Sequence, residues 1–110
     1  MPQYLHQISY TLEGWQALVA SPQNRFEAVR PAIERLGGKL VAGWFAFGDY
    51  DVVAITEFPD AISAAAIAIA FAAGGSCRSV KTTQLLSAAE TVEALKRAST
   101  AGYKAMVAGR

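Results

Sequence analysis

The stretch FAFGDYDVVAI, residues Phe45 to Ile55, places Gly-Asp between two apolar runs and therefore predicts a β-hairpin. A two-residue loop at Gly48-Asp49 requires a positive φ at its first position, which glycine adopts easily. We expect strands over 39–47 and 50–58, with residue 47 opposite residue 50. Neighbouring residues on a strand point to opposite faces, so Tyr50 and Asp51 cannot act as one catalytic pair.

Counting outward from this turn assigns the side chains of both strands to two faces of a sheet. One face carries Leu40, Ala42, Trp44, Asp51, Val53 and Ile55, and the other carries Val41, Phe45, Phe47, Tyr50, Val52 and Ala54. Both faces are apolar, whereas an antiparallel sheet with one side in water alternates apolar and polar residues. Two helices can cover one face, and a second copy of the chain is the simplest cover for the other. We therefore predict a homodimer whose two sheets enclose a shared, barrel-like core.

Periodicity and capping signals predict the remaining elements. In chain order these are a strand at about 3–10, a short helix within 11–20, a helix over 22–36, the two hairpin strands, a helix from Asp60 to about Ala73, a strand at about 77–86 and a helix over 88–98. Ser21-Pro22 should begin the second helix, and Pro31 should kink it. Ser87 and Glu90 form a capping box before the last helix. The fold class is therefore α+β, a ferredoxin-like βαββαβ domain with a four-stranded antiparallel sheet and an added C-terminal helix.

Composition and charge exclude several classes of function. The 110 residues suit one domain, and ten basic against nine acidic residues give a net charge of +1 with no basic patch. We therefore expect no nucleic-acid and no membrane partner. One cysteine and one histidine are too few for a zinc site, the glycines match no phosphate-binding spacing, and no cofactor is expected. The start MPQYLHQISY lacks the features of a secretory signal, which favours a cytoplasmic protein.

Three side chains are candidates for catalysis, namely His6, Tyr50 and Asp51. His6 normally titrates near neutrality and shares a strand face with Tyr4. If that face lines a cavity between two sheets, His6 can be a general base or a haem ligand; the alternative is a structural histidine. Asp51 can instead bond backbone amides of the turn or accept from an arginine, and Tyr50 can be a packing group. The candidates for ligand binding are Tyr4, His6, Trp15, Trp44 and Tyr50.

Gly48, Tyr50 and Asp51, followed by VVAI, resemble the GYD domain family. PQYLHQISYTLEGW before them and GGSCRSVKTTQLLSA after them extend the resemblance over about residues 2–97. It implies a dimeric α/β barrel of ferredoxin-like protomers and no known activity, since the family is functionally uncharacterised. Pro31 and the C-terminal tail depart from it. We expect a domain over 1–98 and a tail over 99–110, with Tyr103, Met106 and Val107 packing on a neighbouring subunit.

Two functions stay open on these grounds. The first is a non-catalytic homodimeric module that binds a small, mostly apolar or aromatic ligand, or offers an interaction surface. The second is an enzyme that uses the barrel cavity as a cofactor-independent monooxygenase, haem-degrading enzyme or isomerase. It would use His6 as base or ligand, Tyr50 or Tyr4 to orient the substrate and Trp44 as a wall. This second reading rests on analogy of fold.

Overall fold

The computed structural model describes residues 1–106, which form one antiparallel sheet of four strands with four helices. The elements in chain order are β1 Gln3–Tyr10, α1 Leu12–Ala20, α2 Arg25–Arg35, β2 Lys39–Phe45, β3 Val52–Glu57, α3 Ala61–Ala73, β4 Cys77–Leu85 and α4 Ala88–Ala98. The strand order is β2-β3-β1-β4, which confirms the predicted ferredoxin-like plan. Val107, which was expected to pack on a neighbour, lies outside the described residues.

The caps that the sequence predicts for the last two helices are present. The Asp60 carboxylate accepts a hydrogen bond from the Ser63 backbone N–H at 2.7 Å and starts α3. At α4 the Ser87 hydroxyl and the Glu90 carboxylate each accept a backbone N–H from the other residue, at 3.0 and 2.9 Å. Such reciprocal caps satisfy two donors that a helix end otherwise leaves without partners. The capping box fixes the start of α4 where the sequence predicts it.

The second helix begins later than predicted. Asn24 is the N-cap of α2, and its side-chain oxygen accepts from the Phe26 backbone N–H at 3.0 Å. The prediction that Ser21-Pro22 begins the helix was therefore wrong. Asparagine caps a helix as well as serine does, so Asn24 can take this role three residues later. The helix then continues through Pro31 to Arg35. The later start places Arg25 in its first turn.

The hairpin keeps the predicted register but not the predicted two-residue loop. Phe45 lies opposite Val52, and the Ala46 N–H donates to the Asp51 carbonyl at 2.8 Å. The Asp51 N–H instead donates to the Ile8 carbonyl of β1, also at 2.8 Å. In a regular antiparallel strand the N–H and C=O of one residue point to the same neighbouring strand. Those of Asp51 point to different neighbours, so Asp51 is not part of a regular strand. The connection therefore spans residues 46–51.

A β-bulge at Val41 changes the face of Leu40. Leu40 lies opposite Thr56, while Ala42 lies opposite Ile55, so two steps on β2 match one step on β3. The extra residue turns Leu40 to the buried face. The prediction that Leu40 shares a face with Ala42 and Trp44 was therefore wrong.

The helices α2 and α3 cover one face of the sheet. The core between them and the sheet consists of Tyr4, Ile33, Leu40, Ala54, Phe58, Ala64 and Ile67. The other face, here called the open face, exposes 56% of Trp44 and carries the half-buried Leu5, Val53 and Ile55. No residue of α4 is buried, so this helix buries no side against the rest of residues 1–106. Every helix in that range is too short or too polar to span a bilayer.

Candidate functional site

A cavity of about 210 Å³ lies between the sheet and the helices α2 and α3. Its walls are mostly apolar and include Ile8, Phe26, Val29, Ile33, Phe45, Val52, Ala54, Ala70 and Phe71. The polar side chains that line it are His6, Tyr10, Arg25, Thr56, Ser76 and Cys77. A concave, mainly apolar space with a few polar groups is typical of sites for small molecules.

His6 on β1 forms part of the cavity wall and makes hydrogen bonds through both ring nitrogens. Its Nε2 lies 2.7 Å from the Thr56 hydroxyl on β3, and its Nδ1 lies 2.9 Å from the Thr82 hydroxyl on β4. The Phe71 ring from α3 meets the imidazole edge to face at 6.4 Å between centroids. His6 is 1% exposed, and through it β1 is hydrogen-bonded by side chains to both neighbouring strands, β3 and β4.

Burial lowers the pKa of His6 from 6.5 to about 4, because desolvation disfavours the imidazolium. The ring is therefore neutral at neutral pH, with one nitrogen donating and the other accepting. A threonine hydroxyl can donate or accept, so either tautomer is satisfied by Thr56 and Thr82. Neither nitrogen keeps a free lone pair for a substrate or a metal.

A second polar group lies where α1, α2 and β4 approach the end of β1. It consists of Tyr10, Arg25 and Cys77, all of which line the cavity. Burial raises the pKa of the Tyr10 hydroxyl and of the Cys77 thiol, while the Arg25 charge lowers both. Cys77 is therefore a thiol at neutral pH. Trp15 from α1 meets Tyr10 edge to face at 5.2 Å but does not line the cavity.

The cavity wall near β2 depends on Gly43, which has no side chain. A Cβ atom built on Gly43 would lie 2.5 Å from the ring of Phe26, far inside van der Waals contact. Glycine here lets the Phe26 ring rest against the strand, where it also lies 4.7 Å from the Phe45 ring. Gly43 thus positions one aromatic wall of the cavity.

The hairpin loop is bound to β1 by side chains. The Asp51 carboxylate accepts from the Tyr10 backbone N–H at 2.9 Å, and the Ser9 hydroxyl donates to the Asp49 carbonyl at 3.0 Å. Ile8 and Tyr10 are two residues apart on β1, so their backbone N–H and C=O groups point to the same edge of the strand, toward Asp51. The Ile8 carbonyl accepts from the Asp51 backbone N–H just before β3, but Tyr10 lies beyond the end of β3, so the Asp51 side chain bonds the Tyr10 N–H in place of a strand.

Tyr50 lies on the outside of this loop. Its hydroxyl accepts from the Lys81 ammonium at 2.9 Å, and the same ammonium lies 5.4 Å from the centre of the Tyr50 ring. The loop is thus tied to β4 as well as to β1. Tyr50 and Asp51 make separate contacts, although both lie in the loop before β3 and not on a strand as predicted.

The GYD domain model matches residues 4–95 of the 110. The chain belongs to the GYD domain family. No curated protein and no solved structure matches its sequence significantly. In this GYD domain Tyr50 and Asp51 join the hairpin loop to β4 and β1, Gly48 lies in the same loop, and none of the three lines the cavity.

The structure does not gather the predicted site residues of the GYD domain in one place. Of the five ligand-binding candidates only His6 lines the cavity. Tyr4 is in the core, where its buried hydroxyl has no hydrogen-bond partner within residues 1–106. Trp15 lies behind Tyr10, Trp44 lies on the open face and Tyr50 lies on the hairpin loop. The face that carries His6 is covered by helices, so it does not line a space between two sheets.

Sequence reasoning missed most of the residues that surround the cavity. The register would have found Thr82, which lies directly opposite His6 on β4. Thr56 lies two residues from Ala54, the other partner of His6, and so shares its face. No sequence pattern predicts that Phe71 and Arg25 line the cavity, because their position against the sheet depends on how the helices pack. Within residues 1–106, no group of three or more His, Cys, Asp or Glu side chains is arranged to hold a metal ion.

Proposed function

We propose that this GYD domain protein is a non-catalytic module that binds a small, mostly apolar molecule in the cavity between the sheet and α2 and α3. The observation that carries the proposal is a mainly apolar cavity in which the buried His6 imidazole is already hydrogen-bonded to Thr56 and Thr82. An engineered apolar cavity of about 150 Å³ takes up benzene. A cavity of about 210 Å³ therefore has room for an aromatic ring with a short substituent.

The state of His6 favours binding over catalysis. A general base needs a free nitrogen within reach of the proton that it removes, and efficient bases have a pKa near the working pH. Both nitrogens of His6 are engaged by threonine hydroxyls, and the pKa of about 4 makes the imidazole a weak base. A raised pKa likewise keeps Cys77 a thiol, which is a poor nucleophile.

An enzyme that uses this cavity is the alternative. A monooxygenase or isomerase would have to break one of the two hydrogen bonds of His6 before the imidazole could accept a proton. A haem-degrading enzyme would need a far larger space than 210 Å³ within the protomer. We therefore expect no shift of the Soret band when haem is added to the purified protein.

We further propose that the protein is a homodimer that works in the cytoplasm. The open face exposes an apolar strip around Trp44, and α4 offers a second uncovered surface with Val92 and Leu95. Patches of this kind on small proteins mark interaction sites. A second copy of the same sheet matches the open face in size and chemistry. The single half-buried cysteine suits a reducing compartment.

Titration with fluorobenzene, followed by ¹⁹F NMR, tests the binding proposal. Ala70 on α3 lines the cavity, so Ala70→Phe should fill part of it and weaken binding. Ala72→Phe is the matched control, because Ala72 is on the same helix, is exposed and does not line the cavity. We expect the unaltered protein and Ala72→Phe to bind the probe alike and Ala70→Phe to lose binding. Absence of binding by the unaltered protein, or equal binding by both variants, would contradict the proposal.

A further inference from the structure

Arg25 gives one end of the cavity a positive charge that no other lining residue offsets. None of the described residues that line the cavity is an aspartate or a glutamate, and His6 is neutral at neutral pH. Arg25 occupies the first turn of α2 and is half-buried as a residue, while its hydrogen bond to Gln23 is exposed. The cavity is therefore apolar at its walls and cationic at one end.

The guanidinium of Arg25 has unused donors. Its Nη1 donates to the side-chain oxygen of Gln23 at 3.0 Å, and no carboxylate of residues 1–106 lies within ion-pair distance. An arginine carries five N–H donors in a planar fork, so most of them are available to another acceptor. Arg30 and Arg97 pair with Glu27 and Glu93, whereas Arg35 and Arg78, like Arg25, have no ion pair within residues 1–106.

The charge of Arg25 acts on the end of the cavity formed by Tyr10 and Cys77. Arg25, Tyr10 and Cys77 line the same cavity, and the Arg25 charge lowers the pKa of Tyr10 and of Cys77 against the larger effect of burial, while the Asp51 charge raises that of Tyr10. A positive charge in a partly desolvated place attracts an anion more strongly than the same charge in water. The fork of donors matches a carboxylate, which can accept two parallel hydrogen bonds.

We infer that the ligand of this cavity is a small carboxylate with an apolar body, bound through its carboxylate to Arg25 and through its body to the walls around Phe71 and Val29. The inference rests on the proposed binding function and names its ligand class. The cavity limits the body to about one aromatic ring or an aliphatic chain of similar volume.

Titrations with 4-fluorobenzoate and 4-fluorobenzamide, followed by ¹⁹F NMR, test the inference on the full chain. The two probes have nearly the same shape and differ in charge. Hydrogen bonds to charged groups are stronger than neutral ones, so the benzoate should bind at least about tenfold more tightly. Arg25→Gln should abolish this preference. Arg30→Gln is the matched control, because it removes the same charge from the same helix but lies outside the cavity wall.

The outcomes separate this inference from the proposal on which it rests. Equal affinity for the two probes in the unaltered protein, or a preference that survives Arg25→Gln, would overturn the carboxylate class and leave cavity binding intact. Failure of both probes and of fluorobenzene to bind would overturn both. Fluorobenzene also checks the fold of Arg25→Gln, since a neutral probe should bind this variant as tightly as it binds the unaltered protein.

Discussion

The carboxylate of Asp51 accepts a hydrogen bond from the backbone N–H of Tyr10 at 2.9 Å. This contact joins the GYD loop to the strand that also carries His6, and it substitutes for a sheet hydrogen bond that β3 is too short to supply. The partner is an amide of the neighbouring strand rather than of the turn, and neither Arg25 nor Arg78 pairs with Asp51 in the described chain. Asp51 therefore holds the end of β1, from which Tyr10 reaches the cavity.

Removing this carboxylate should destabilise the fold. Asp51→Ala leaves the partly buried Tyr10 N–H without its partner, and such a loss costs about 1–3 kcal/mol in the free energy of unfolding. Asp49→Ala is the control, since Asp49 is exposed and contributes its backbone carbonyl rather than its side chain. Surface changes of this kind usually stay within about 0.5 kcal/mol. Urea unfolding of both variants measures the difference, and equal losses would refute the role of the Asp51 side chain.

The buried imidazole should make stability depend on pH. The pKa of His6 is about 4 in the folded chain and 6.5 for the ordinary group, so between these values the unfolded chain binds a proton that the folded chain does not. The contribution is complete above about pH 6.5 and is lost progressively as the pH falls toward about 4. From pH 7 to pH 5 the loss should be about 2 kcal/mol.

His6→Gln isolates this effect, because glutamine can bond hydroxyls but does not titrate. Urea unfolding at both pH values should show a smaller pH dependence for the variant than for the unaltered protein. His6 is also the only histidine, so its ring protons can be followed by NMR without ambiguity. A ring that titrates near 6.5 in the folded protein would contradict its burial as a neutral group.

Part of this architecture follows from local sequence, and part does not. The hairpin register and the Ser87–Glu90 box depend on residues close in the chain, and both are found as predicted. The bulge at Val41 is invisible in the sequence because Leu40 and Val41 are both apolar and either can face the core. The cavity is harder still to predict, since it requires Arg25 and Phe71 to approach the sheet from separate helices.

Gly43 should be intolerant of a side chain. The Cβ of Gly43→Ala would overlap the Phe26 ring, and overpacking of this kind typically costs about 1–3 kcal/mol. In Phe26→Leu the smaller side chain relieves the overlap, so the double variant should be more stable than the sum of the two single losses predicts. Thermal or urea unfolding of the four proteins measures this coupling. Strictly additive losses would mean that Phe26 does not rest on Gly43.

The open face should determine the assembly. If a second copy covers this face, Trp44→Lys places a charge in the interface and should convert a dimer to monomers of 11.7 kDa. Val19→Lys is the control, because Val19 is also an exposed apolar residue but belongs to α1, away from the open face. Light scattering after size-exclusion chromatography gives the masses. A monomeric unaltered protein, or a dimer that survives Trp44→Lys, would contradict the proposed homodimer.

The most direct test of the binding site is a crystal structure of the protein soaked with bromobenzene, in which anomalous scattering locates the bromine. We expect a bromine peak inside the cavity, between the His6 imidazole, the Phe71 ring and the side chain of Val29. A cavity without bromine, or bromine found on the open face around Trp44 alone, would contradict the claim that this GYD domain binds its ligand between the sheet and the helices.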